Sequence, residues 1–435
     1  MSIFSVTDRS VTFSLVFRPT QRDMDKHAQK RQQIIDTAFK VWGEEFFFKT
    51  SLTTLAEAVG SSKTALYRYF KNKDSLIEAM RQDFLRVHTN ICLETTKAAE
   101  GKNFEERLAL FQQKFLRFYA ENYWYYRFAS LFLLPNTVEG FQQLEEVLQL
   151  QNGMFPTAHL QREFGWSEQE VPVVQRFIFS VGTFLLNRGN IKEVQEMRQL
   201  TADELLAINK KLIFEGMRGH TEIQLPDFEA VEKACRLEVE DLLPQEPLFA
   251  AISKVVAEEG LWDASLEQIA RSAGMSKSSL YFHFNDRNEM LWKMIDNERH
   301  QLGTLFLERS RQMESFEERL YAFFAVFAWY LARRPEFLAV MNWFRFQQFH
   351  IKIPKHMQGG MDRYIEFLSG GLESGKLRSD IFDLPTIARW VNYGLIQELN
   401  NMYWMEGLSE KIWPFIRTTY KLFLFGVEGA EDEKK

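Results

Sequence analysis

The sequence predicts an all-α chain made of two copies of one helical unit. Three observations predict it. Residues 34–80 laid on residues 248–294, an offset of 214 without a gap, share 14 identities in a 47-residue window. Each window reads as a helix, a short helix, a glycine turn, a short helix and the start of a long helix. The register then continues: "FEERL" at 104–108 recurs at 316–320, and "KLIFEG" at 211–216 is echoed by "KLFLFG" at 421–426, offsets of 212 and 210. A drift this small marks duplication of a whole unit of about 210 residues, far longer than a solenoid repeat.

The elements follow in order. Across residues 29–46 the apolar positions Ile34, Ile35, Ala38, Val41 and Trp42 fall at helical spacing. A short helix over 52–59 starts at the N-cap residue Ser51, and in the second copy Ser265 with Gln268 forms a capping box. Gly60 and Gly274 stand where the chain must stop and turn. Ser62 and Ser276 cap the next helix, whose stripe is Leu66 and Phe70. Asn72 in the first copy, and Asp286 with Glu289 in the second, open the long helix. The central pair is a helix-turn-helix. The outer face of its second helix carries Lys, Ser, Thr and aromatic hydroxyls, groups suited to base edges and phosphates.

Composition sets the limits. With 46% hydrophobic and 26% charged residues the chain is globular, and 40 Phe supply bulky cores. A net charge of −6 confines any nucleic-acid contact to local patches. Cys92 and Cys235 match no metal spacing and read as reduced thiols of a cytoplasmic protein. No apolar run is long enough to span a membrane, and the charges Asp8, Arg9 and Arg18 interrupt any signal-peptide core. Residues 1–23 read as a flexible tail or as an extension from an upstream start codon. Hydrolase, Walker and dinucleotide motifs are absent from the sequence, so no enzyme, cofactor or metal site is expected.

These residues resemble the TetR/AcrR family of transcriptional regulators. The first copy matches its pattern at Ala56, Gly60, Ser62, Leu66, Tyr67, Phe70, Lys73 and Leu76, the second at Ile269, Ala270, Gly274, Ser276, Leu280, Tyr281, His283 and Phe284. The stretch "FLSGGLESGKLRSDIFDLPTIARWVNYGL" is similar to the family's middle helices. The resemblance implies a tail (1–23), a DNA-binding head (24–80), a helical regulatory core (81–218), a linker (219–243), a second head (244–294), a second core (295–429) and a charged tail (430–435). The linker, rich in acids and holding Pro226, reads as carrying one short helix near 228–237. Relatives pair as homodimers through their last two helices. Here those would lie at 170–187 with 202–217 and at 385–405 with 410–427, making a single-chain pseudo-dimer that is monomeric in solution. The resemblance further implies an operator in double-stranded DNA and release by a small effector.

By the resemblance, Tyr67 and Tyr281 each offer a hydroxyl to a phosphate. Lys73 and Arg287 add cations at the start of the next helix. Lys63, Thr64, Ala65 and Arg68, with Lys277, Ser278, Ser279 and Phe282, face the groove. His283 matches the family's usual histidine and Tyr69 departs from it, and both are assigned to phosphate. The heads differ in charge: residues 27–80 hold eight basic and six acidic side chains, residues 241–294 five basic and eight acidic. Phosphate neutralisation drives much of DNA affinity, so the second head is expected to bind more weakly, or to have left DNA so that the chain acts as a sensor or interaction protein. Trp124, Phe128 and Trp343, in aromatic runs, and Asn187, Asn392 and Gln397, polar within apolar helices, mark the region of a pocket for an apolar or aromatic effector. Aromatics at helical spacing are more often core, and the amides could equally be hydrogen-bonded across the interface.

Overall fold

The computed structural model describes residues 26–44, 51–132, 146–188, 201–244, 247–276, 278–279, 287–338, 341, 362–405, 407–408 and 410–429. Among these residues the chain is helical and without a strand; one isolated antiparallel bridge joins Arg218 to Leu377. No helix among them is long and apolar enough to cross a membrane.

In the first head, α1 (Lys26–Glu44), α2 (Leu52–Ala58) and α3 (Lys63–Leu66) pack around Ile34, Ile35, Leu55, Leu66 and Phe70, all buried. The Ser51 and Ser62 hydroxyls accept the backbone N–H of Thr54 and Ala65, each at 3.1 Å, so both predicted caps are in place. Gly60 turns the chain at φ 65° and Gly274 does so at φ 69°. Helix α4 (Lys73–Ala98), opened by the Asn72–Ser75 capping box, runs without a break through the expected boundary at residue 80, so head and core share one rod.

The first core contains α5 (Phe104–Leu110), a π-helical segment (Phe111–Leu116), α6 (Arg117–Glu121), α7 (Tyr123–Phe132), α8 (Thr157–Phe164), α9 (Val171–Arg188) and α10 (Ala202–Glu215). After the linker helix α11 (Phe228–Ala234), the second copy supplies α12 (Pro247–Asp263), α13 (Leu266–Ser272), α14 (Arg287–Arg309), α15 (Phe316–Arg333), α16 (Asp362–Glu373), α17 (Leu384–Met405) and α18 (Trp413–Phe425). The repeat is visible in its caps. Asn103 with Glu106 starts α5, and Ser315 with Glu318 starts α15, at the same offset as the "FEERL" echo.

The two copies join along the four helices the sequence singled out. Helix α9 packs on α10 in its own copy and on α17 and α18 of the other. Phe184 sits 4.9 Å from the Trp390 ring and 5.5 Å from that of Tyr393. Burying each such ring contributes roughly 2 kcal/mol. Arg176 Nε donates to Glu398 Oε2 at 2.8 Å, and the indole N–H of Trp166 donates to the Val427 carbonyl at 2.8 Å. The chain is therefore a pseudo-dimer within one polypeptide.

The linker is a docked element rather than a loose tether. The Met217 and Arg218 N–H groups donate to the Phe423 and Leu424 carbonyls at 2.8 and 2.7 Å, and Gly219 N–H to the Lys376 carbonyl at 2.8 Å. Helix α11 then lies on α15. Its Glu232, 7% exposed, accepts two hydrogen bonds from Arg417 at 2.7 Å and one from the Tyr321 hydroxyl at 2.5 Å. Cys235 and Leu237 are fully buried, and Arg334 reaches the Leu243 carbonyl just before the second head.

Candidate nucleic-acid interface and core cavity

The turn at Gly60 and the cap at Ser62 decide what α3 shows to solvent. With Leu66 and Phe70 buried, Lys63, Thr64, Tyr67 and Arg68 are exposed together, Ala65 is half-buried, and the Tyr67 ring is 47% exposed. An exposed tyrosine among two cations is poor core material and good phosphate-binding material. Tyr69 is half-buried and its ring stacks on His27 at 4.6 Å, which ties the end of this segment to α1. Lys73, at the first turn of α4, is half-buried; desolvation draws its ammonium below the usual lysine range, against the opposing pull of Asp74. It stands beside the exposed Lys71.

In the second head Ser276 and Ser278 are exposed and Ser279 is half-buried, and Ser276 Oγ accepts the Ser279 N–H at 3.0 Å, repeating the cap of the first. Arg287 opens α14. Lys277, Tyr281, Phe282, His283 and the side chain of Arg287 lie outside the described residues.

A cavity of about 180 Å³ lies between the copies. The first copy's side sets the rings of Phe84 from α4, Phe111 and Phe115 from the π-helical segment and Phe179 from α9 beside the polar side chains of His88, Gln151, Arg176, Ser180 and Thr183. The other is polar and comes from α17 of the second copy, with Tyr393, Gln397, Asn400 and Asn401. The widened π turn is a common device for setting side chains into a site. His88, buried in the wall, lies with Nδ1 2.6 Å from the Tyr119 hydroxyl, and the Gln151 amide donates to its Nε2 at 3.3 Å. That leaves Nδ1–H to donate to Tyr119. Desolvation lowers His88 to about 4, so it is neutral near pH 7, and burial pushes the Tyr119 phenol up. Arg176, also in the wall, has its charge matched by Glu398.

Of the six pocket residues expected from sequence, Gln397 lines this cavity. Phe128 is buried between Phe39 and Phe84, with ring centroids at 5.0 and 6.1 Å, at the joint of head and core. Trp124 stacks under Lys40 Nζ at 5.2 Å. The Asn392 amide donates to the Ala388 carbonyl of its own helix at 2.8 Å, and Asn187 is half-buried near the end of α9. None of these four is in the cavity wall. Trp343 lies outside the described residues. His88, Gln151, Arg176 and Asn400 were missed, although Asn400 and Asn401 follow Gln397 by three and four positions, one helical turn along the same face.

Two helix-turn-helix heads on one helical scaffold define a class of DNA-binding proteins. Residues 34–80 and 248–293 each match the sequence profile of "Bacterial regulatory proteins, tetR family". A stretch of 58 residues is 40% identical to the "HTH-type transcriptional regulator SrpR" of Pseudomonas putida, covering 13% of this chain and 27% of that protein. The identity is also 40% over 58 residues to the "Uncharacterized HTH-type transcriptional regulator TtgW", likewise of Pseudomonas putida, covering 13% of this chain and 42% of that one. The match thus spans less than half the length of either relative. Each copy thus carries, at its N-terminal end and at equivalent positions of the repeat, a segment that matches the tetR family.

Proposed function

We propose that this chain is a cytoplasmic repressor whose two heads bind an operator of two unlike half-sites, as one monomeric chain, and that a small apolar or aromatic effector releases it. The observation that carries the reading is the exposed set Lys63, Thr64, Tyr67 and Arg68 on α3, presented by a chain whose second head is already joined to the first through the four-helix seam. Joining the heads covalently makes their pairing intramolecular, with an effective concentration around millimolar. Release would come from a change in head spacing away from the roughly 34–36 Å between successive major grooves. Selection of bound sequences from a random DNA pool tests it. Sites with two unlike halves support the reading, and a lone half-site overturns its two-headed form. A chain running at the mass of a stable dimer in size-exclusion chromatography counts against the single-chain pairing.

The charge balance of residues 241–294, five basic against eight acidic, favours a second reading in which the second head no longer touches DNA and the chain senses or recruits.

A further inference from the structure

We propose that the cavity takes an uncharged single-ring aromatic molecule bearing one hydrogen-bonding substituent, its ring held by the first copy and its polar group by the amides of the second. This deepens the effector reading and rests on it. Size comes first. A cavity of about 150 Å³ lined by apolar side chains suffices for benzene, and about 180 Å³ leaves room for one ring with a short substituent. Shape comes second. Phe111, Phe115 and Phe179 pack on one another into a single aromatic wall against which a ring can lie: the Phe111 and Phe115 centroids are 5.1 Å apart, stacked, and Phe179 meets them edge-on at 5.1 and 5.6 Å. Such walls favour another aromatic ring.

Charge decides the class. The ionisable nitrogen groups in the wall are His88, which burial keeps neutral near pH 7, and Arg176, which already has Glu398 as its partner. A charged ligand would give up part of its hydration with no unmatched opposite charge to replace it. The facing wall carries Gln397, Asn400 and Asn401, with the Tyr393 hydroxyl 2.8 Å from Thr183 Oγ1. Each amide offers two donors and two acceptor lone pairs, so one already bonded to a neighbour still has capacity for a hydroxyl or amine on the ring. Because this wall belongs to α17 and the rings to the first copy, the ligand touches both copies and binds the joined state. By linkage it raises the thermal midpoint of the whole chain.

The test uses the full chain without DNA, so its outcome is independent of whether either head binds an operator. Phenol, toluene, benzoate and benzylammonium are titrated by calorimetry and by thermal shift at neutral pH. Phenol is expected to bind about tenfold or more tightly than toluene, and both ions about a hundredfold or more weakly than phenol. Asn400→Leu is expected to remove most of the preference for phenol over toluene while toluene still binds. The ranking in the unmodified chain stands as a readout even if that variant fails to fold. Toluene equal to phenol, benzoate or benzylammonium equal to phenol, or no saturable binding of phenol overturns the proposal.

Discussion

Gly216 and Gly426 stand at equivalent positions, 210 residues apart, and pass each other backbone to backbone at the ends of α10 and α18. A β-carbon on Gly216 would lie 2.5 Å from the Leu424 carbonyl oxygen, and one on Gly426 would lie 2.5 Å from the Ile213 and Phe214 carbonyl oxygens. Both have φ near +60° with ψ of −147° and −155°, a conformation open in practice to glycine alone. Alanine at either position is expected to cost about 3 kcal/mol or more, because strain and steric overlap act together. Gly60→Ala is the control: φ is 65° but nothing lies within 4 Å of the added carbon, so about 1 kcal/mol is expected. Urea denaturation of the three variants measures the difference.

His88 predicts a pH dependence. In the unfolded chain the imidazole takes its proton near pH 6.5, in the folded chain only at about 4. Between these values the unfolded state holds more protons, so stability falls as the pH drops from about 6.5 to about 4, by about 3 kcal/mol in all. Below about 4 this group adds no further slope. The His88→Gln variant should lack that part of the slope. Denaturation series of both proteins across this range read it directly.

The seam holds a charged pair whose loss should be costly. The Arg176 and Glu398 side chains are 12% and 5% exposed. Removing one partner leaves a buried charge unmatched, so Glu398→Gln is expected to cost about 3–5 kcal/mol. The double change Arg176→Met with Glu398→Leu should recover most of that. A double-mutant cycle by chemical denaturation checks both statements.

The docked linker predicts resistance to proteolysis. Trypsin and glutamyl endopeptidase should cut slowly between residues 219 and 243, despite the many charged residues there, because α11 is pinned through Glu232 to Arg417 and Tyr321. Glu232→Ala is expected to raise the cutting rate in this segment about tenfold or more, read by mass spectrometry of the fragments.

On operator DNA, Lys63→Ala and Arg68→Ala should each reduce the salt dependence of binding by about one ion, whereas Tyr67→Phe should weaken binding with an unchanged slope. The same measurement on Arg287→Ala separates the two readings of the second head. A reduced slope means the head is engaged, and an unchanged slope with unchanged affinity means it is not.

Much of the fold was legible because it is written in local signals. Caps at Ser51, Ser62, Asn72 and Ser265 need only neighbouring residues, and each is present. The seam was legible because the repeat and the apolar helices "FIFSVGTFLL" and "YKLFLFGV" pointed to the same four elements. Three features were not. The π turn at Phe111–Leu116 replaces the continuous α-helix of the second copy without a local sequence break. The linker's docking depends on Arg417 and Tyr321, 185 and 89 residues from Glu232. The cavity is assembled from α4, α6, α7, α9, α17 and the π turn, so no one stretch of sequence announces it, and Phe128, for which pocket and core were both open, packs at the joint between α1 and α4.

Arg176 and Glu398 meet across a seam between copies encoded in tandem. In a homodimer any substitution arrives on both sides of the axis at once and must suit two environments together. Here each residue of the seam is inherited separately and can change alone. An enlarged ring at Phe184, for example, can be answered at Trp390 without being repeated elsewhere. Fusion thus frees the halves from mirror obligation, and it allows the two walls of a shared cavity to diverge in shape and polarity.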